Sequence, residues 1–161
     1  MTYRIISTFV FILLFAATGF SQDKLTWITE LEKVIAQKEP AWKIERKNLQ
    51  DANGGSYNYS LTLISGANRS SIQISRLYKV PNAAETFAGQ VLIFDNISGK
   101  RNFKSKLKNY GDEGFMWTTT RKGSWTNIHF RKSDIFVRVF APAPNTAKRF
   151  ADYVLRLLPA D

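Results

Sequence analysis

The chain of 161 residues contains no cysteine. Its absence excludes a disulfide framework, thiolate catalysis, a zinc-thiolate site and lipid attachment through an N-terminal cysteine. Histidine is nearly as scarce, with His129 the single one. A metal site or a catalytic triad built on it would have to draw its other members from Asp and Glu. No Gly-x-Ser-x-Gly elbow, phosphate-cradling glycine loop or His-Glu-x-x-His segment occurs. Negative charge is thin: 23 Lys and Arg face 13 Asp and Glu, a formal net charge of +10. Such a balance favours anionic partners and says nothing about fold.

Long apolar runs are also missing, apart from one. Arg4 precedes the almost wholly apolar stretch Ile5 to Phe20, and small or polar residues stand at Gly19, Ser21 and Gln22. This is the pattern of a secretory signal over residues 1–21. At 16 residues the run is short of the roughly 20 that a spanning helix needs. Cleavage near Gln22 would release a periplasmic or extracellular chain of residues 22–161. Since Arg4 is the only charge in residues 1–21, that part carries 22 Lys and Arg against 13 Asp and Glu. Its 140 residues suit one domain able to bury a core without staples.

What is present, above all, is a repeat at an offset of 63 positions. Pro81-Asn82-Ala83-Ala84-Glu85-Thr86-Phe87-Ala88-Gly89-Gln90-Val91-Leu92 recurs as Pro144-Asn145-Thr146-Ala147-Lys148-Arg149-Phe150-Ala151-Asp152-Tyr153-Val154-Leu155, with seven of twelve positions identical. The residues before each copy match in character, Ile72 with Ile135 and Ile74 with Val137, so a strand followed by a helix repeats.

Hydrophobic periodicity supplies the remaining elements. Ile28, Leu31 and Ile35 predict a helix over Leu25 to Glu39, stopped by Pro40. Trp42 to Arg46 alternates as a strand, and Asp51 to Ser56 is rich in turn formers. Tyr57, Tyr59, Leu61 and Leu63 alternate with polar residues, and a loop over Ser65 to Ser70 leads to Ile72 and Ile74. Asn82 and Glu85 read as the N-cap and capping-box partner of a second helix, and Asn145 as the cap of the last. Phe103 to Tyr110 is extended, Phe115 to Thr119 alternates, and Trp125–Arg131 pairs with Asp134–Phe140 across a tight turn. The expectation is an α+β domain built from an αβββ duplication, about 27–80 and 90–143, closed by a helix at 145–158. Its sheet has six or seven mainly antiparallel strands covered by helices as an α/β/α sandwich. Phe87 and Phe150 should occupy equivalent core positions.

The order of elements, the export signal and Tyr110-Gly111-Asp112-Glu113-Gly114, followed by aromatic strands, a hairpin and a terminal Ala/Phe/Val/Leu helix, resemble the Mog1/PsbP-like superfamily over most of residues 25–158. The resemblance implies an α/β/α sandwich and a role that is accessory, binding or assembly-related and mostly not enzymatic. It transfers no functional residue.

Chemistry-bearing candidates are few. His129 lies between Ile128 and Phe130 and points to the opposite, less apolar face of its strand. Asp112 and Glu113 could form an acid/base pair, or be solvated turn residues. The basic stretch Lys100-Arg101-Asn102-Phe103-Lys104-Ser105-Lys106-Leu107-Lys108 sets Lys104, Lys106 and Lys108 on one face of an extended segment, about 7 Å apart for a rise of roughly 3.3 Å per residue. With Lys100 and Arg101 that row either binds an anion or guards a sheet edge. Trp117, Trp125, Tyr57, Tyr59 and Tyr78 either contact a ligand, Trp117 and Trp125 above all, or fill the core. Nothing calls for a cofactor, a metal or a specific nucleic acid. The reading is a non-catalytic exported domain that binds or assists another cell-envelope component, its partner an envelope protein or an anionic polymer. Two alternatives stand beside it: a hydrolase or transferase using Asp112 or Glu113, and a binder of anionic polymers or membrane head groups.

Overall fold

The computed structural model describes residues 19–51, 55–98, 102–119 and 125–159. Ile28, Leu31 and Ile35 share the buried side of α1 (Gly19–Lys38), which begins before the expected Leu25. Three strands follow, β1 (Lys43–Asp51), β2 (Tyr57–Ser65) and β3 (Asn68–Arg76). The expected loop Ser65 to Ser70 shrinks to Gly66-Ala67, because Ser65 pairs with Asn68 and Gly66 takes φ +58°, the left-handed conformation a two-residue hairpin turn demands. Then come α2 (Val80–Ser98), β4 (Asn102–Lys106), β5 (Glu113–Thr119), β6 (Thr126–Lys132), β7 (Ile135–Ala141) and α3 (Pro144–Leu157).

Neither expected cap holds. Helix α2 starts at Val80, so Asn82 and Glu85 lie inside it. Helix α3 has Ala143 at its N-cap with no side-chain bond and Pro144 at its start. In both, proline in the first turn supplies a preset φ and lacks the N–H that a cap would satisfy.

The seven strands form one antiparallel sheet in the order β1-β2-β3-β7-β6-β5-β4. Its centre is the β3–β7 pair, where Ile74 lies opposite its repeat mate Val137. The strands thus follow the duplication, with β4 as an added edge. One face of the sheet buries Tyr59, Leu61, Ile72, Ile74, Ile128, Phe130, Val137 and Val139 against Ile28, Leu31 and Ile35 of α1 and Ala147, Phe150 and Val154 of α3. The Arg149 guanidinium of α3 donates to both carboxylate oxygens of Glu39, and the Tyr153 hydroxyl donates to one of them, tying the end of α1 to α3.

Helix α2 goes to the other face. Phe87 stacks on Phe115 at 5.9 Å and meets Phe136 at 6.3 Å, whereas Phe150 meets Trp42 at 5.5 Å in the first core. The expected equivalence of Phe87 and Phe150 is therefore corrected: the repeated helices lie on opposite faces. The first face is already filled by α1 and α3, while the aromatic half of the second, over β5 to β7, needs a cover. Among the described residues no helix covers the β1–β3 half of that second face.

Candidate functional site

Because α2 lies across the sheet from the core that β3 faces, the chain must cross the end of the sheet between Arg76 and Val80. The Leu77 N–H donates to the Asp134 carbonyl at 2.9 Å and pins this crossing to the β6–β7 turn. A cleft of about 310 Å³ opens there, lined by Arg76, Tyr78, Lys79, Val80, Lys132, Ser133, Asp134, Ile135 and Pro159. Among the described residues that line it, three are cations and one is a carboxylate. Arg76 Nε lies 2.8 Å from Asp134 Oδ2, Lys132 Nζ donates to the Pro159 carbonyl at 2.6 Å, and Lys79 Nζ sits 5.4 Å from the centre of the Tyr78 ring. Among the described residues Lys79 has no carboxylate partner, and Tyr78 is 65% exposed, the most open of the large hydrophobic side chains. The excess positive charge, a hydroxyl at Ser133 and an aromatic rim suit capture of an anionic group.

The basic stretch is arranged differently from the expected row. Lys100 and Arg101 lie outside the described residues. β4 ends at Lys106, and Lys108 lies in the turn beyond it, so the three lysines do not share one strand face. Lys104 is engaged: its ammonium bonds Asp95 Oδ2 at 2.6 Å and lies 4.5 Å from the Phe115 ring centre. The bond from Lys104 holds the Asp95 carboxyl below its ordinary range. β4 is an edge strand, where lysine hinders pairing with another chain.

The aromatic candidates divide. Trp117 is fully buried, donating through Nε1 to Asp95 Oδ1 at 3.2 Å, and so is a core residue rather than a contact surface. Trp125 is half-buried against Phe94 and Phe140. Tyr57 and Tyr59 are buried; Tyr78 alone of the five stands open.

His129 does point away from Ile128 and Phe130, but that face is aromatic and closed, not the less apolar one expected. Its ring lies 4.6 Å from Phe94, 4.9 Å from Trp117 and 5.7 Å from Phe136 by centroids, and both nitrogens lack a hydrogen-bond partner among the described residues. Burial, helped by the nearby Arg138 cation, pushes its pKa down to about 3.

Asp112 and Glu113 both serve Arg131. Its Nη1 lies 2.7 Å from Asp112 and its Nε 3.1 Å from Glu113, and Asp112 also accepts from the Ser133 N–H at 2.9 Å. Gly111 takes φ +60° against this strand, where a Cβ would meet the Arg131 carbonyl oxygen at 2.2 Å. Tyr110 donates to Asp152 of α3 at 2.6 Å. The Tyr110–Gly114 segment thus joins β5 to the β6–β7 turn and to α3. Among the described residues no three His, Cys, Asp or Glu side chains group as metal ligands, and no helix is long and apolar enough to cross a membrane.

Sequence reading missed Arg76, Lys79 and Lys132. The usable signal was Arg76-Leu77-Tyr78-Lys79-Val80-Pro81, a basic and aromatic connection directly before a proline-started helix. No family model matches the chain, and no curated protein matches it. Among solved structures it is similar to a GTP binding regulator from Thermotoga maritima, at 14% identity over 82% of this chain and 84% of that one, with a TM-score of 0.44.

Proposed function

We propose that this is a non-catalytic, exported binding domain that holds an anionic group of another cell-envelope component in the cleft between the β3–α2 crossing and the β6–β7 turn. The observation that carries the reading is that cleft, where among the described lining residues Arg76, Lys79 and Lys132 outnumber the one carboxylate, Asp134, and Tyr78 stands at the rim. Export rests on the signal-like residues 1–21. The accessory character of the Mog1/PsbP-like proteins, which the chain resembles, points the same way. The rival acid/base reading is weakened by geometry, because Asp112 and Glu113 both contact the same guanidinium.

Salt elution from heparin tests this. The Arg76→Gln/Lys79→Gln variant should elute at clearly lower salt than the parent, since screening acts on the same charges. Lys104→Gln/Lys106→Gln/Lys108→Gln should elute closer to the parent. If the β4 triple variant shifts and the cleft variant does not, the basic edge is the binding surface and the cleft reading fails.

A further inference from the structure

On the β1–β3 half of the second sheet face, which no helix covers among the described residues, two rows of uncharged polar side chains stand side by side. Cross-strand pairing aligns Asn48 with Ser60 and Ser60 with Gln73, and in the next row Gln50 with Asn58 and Asn58 with Ser75. Strands sit about 4.8 Å apart and the rows roughly 6.7 Å, so six amides and hydroxyls form a two-by-three grid. They surround a hollow of about 240 Å³. None of these six side chains is buried, and among the described residues none bonds another side chain. In a chain where 22% of residues are charged, the grid holds no charge. Solvated strand faces ordinarily carry Lys, Glu and Arg; here donors and acceptors stand open without them.

That composition selects among partners. A polyanion needs a row of cations, and among the described residues none lines this hollow, the one cation in register with the grid being Arg138 opposite Gln73. A protein interface needs apolar anchors, yet the exposed large apolar residues Ile44, Leu49, Tyr78, Val80, Leu92 and Ile93 all lie outside the grid. An array of neutral groups that both donate and accept matches a chain bearing many hydroxyls. We propose that this face is a binding surface for a neutral polysaccharide, lying along the two rows and bonded by Asn48, Gln50, Asn58 and Gln73. The proposal stands apart from the cleft, whose ligand is anionic.

Side-chain amide signals of the ¹⁵N-labelled domain, titrated with cellohexaose, chitohexaose, laminarin and dextran, test it. At least one of the four glycans should shift the Asn48, Gln50, Asn58 and Gln73 amides, and the shift should persist at 0.5 M salt on the order used to screen charges. Asn48→Ala/Asn58→Ala/Gln73→Ala should weaken binding by about tenfold or more at unchanged melting temperature, as expected for exposed positions. Gln73→Arg, a single exposed change, should do the same by blocking the grid, while Arg76→Gln/Lys79→Gln should bind the glycan like the parent. The proposal is overturned if none of the four glycans shifts these amides, if salt abolishes the shift, if the variants bind unchanged, or if heparin shifts the amides instead.

Discussion

Acidification should unfold this protein through His129, by an amount that follows from its cage. The folded ring titrates at about 3, against an ordinary value of 6.5. Between those values the unfolded chain binds the proton and the folded one does not, so stability is complete above about pH 6.5 and falls as pH drops. At pH 5 the loss is about 2 kcal/mol, from roughly 1.5 pH units at 1.36 kcal/mol each. That figure barely depends on the folded value, because the folded ring is already neutral at pH 5. Other groups titrate too, so the measurement is a double difference: urea unfolding of the parent and of His129→Phe at pH 7.5 and pH 5. Phenylalanine fits among Phe94, Trp117 and Phe136 without two unpaired ring nitrogens. The variant should therefore match or exceed the parent at pH 7.5, since unpaired buried polar atoms are costly. At pH 5 its advantage should widen by about 2 kcal/mol, the histidine contribution alone. Equal pH sensitivity in the two proteins would refute the reasoning, because it would mean that the imidazole is protonated as easily in the fold as in the open chain.

Gly111→Ala should cost about 2 kcal/mol or more in urea unfolding, since a left-handed backbone strains any Cβ and this one would meet a carbonyl oxygen at 2.2 Å. Alanine tolerated without loss would mean that the β5 entry does not pack on Arg131 as described. Phe87→Ala and Phe150→Ala should each lower stability by about 3–5 kcal/mol and add in the double variant to within roughly 0.5 kcal/mol, because they sit on opposite faces of the sheet. Strong non-additivity would place them in one core.

Much of the fold can be read before any coordinates. The alternation of Tyr57 to Leu63, the paired hairpin strands and the three amphipathic helices follow from periods of two and 3.6, and these dominate wherever one face is buried. The side of the sheet a helix takes leaves no such mark. Helices α2 and α3 share an Ala/Phe/Val/Leu stripe in sequence, yet α3 buries Ala147, Phe150, Ala151 and Val154 while α2 buries Ala83 and Phe87 and leaves Ala88 and Leu92 exposed. The capping signals at Asn82 and Asn145 misled because proline at the helix start is an equally good beginning. Lys104 looked free because its partner Asp95 lies on another element, nine residues earlier. The cleft was illegible for the same reason: Arg76, Lys132 and Pro159 meet only once the β3–α2 crossing is pinned to the turn at Asp134.

The central claim, an anion-holding cleft in a non-catalytic domain, is tested most directly by mapping where a short polyanion binds. Backbone amide shifts of the ¹⁵N-labelled domain titrated with a heparin hexasaccharide should cluster at residues 76–80 and 132–134, and should vanish in Arg76→Gln/Lys79→Gln while the rest of the spectrum is kept. Shifts centred on Lys104, Lys106 and Lys108, or on Asp112 and Glu113, or no saturable shift at all, would contradict the account.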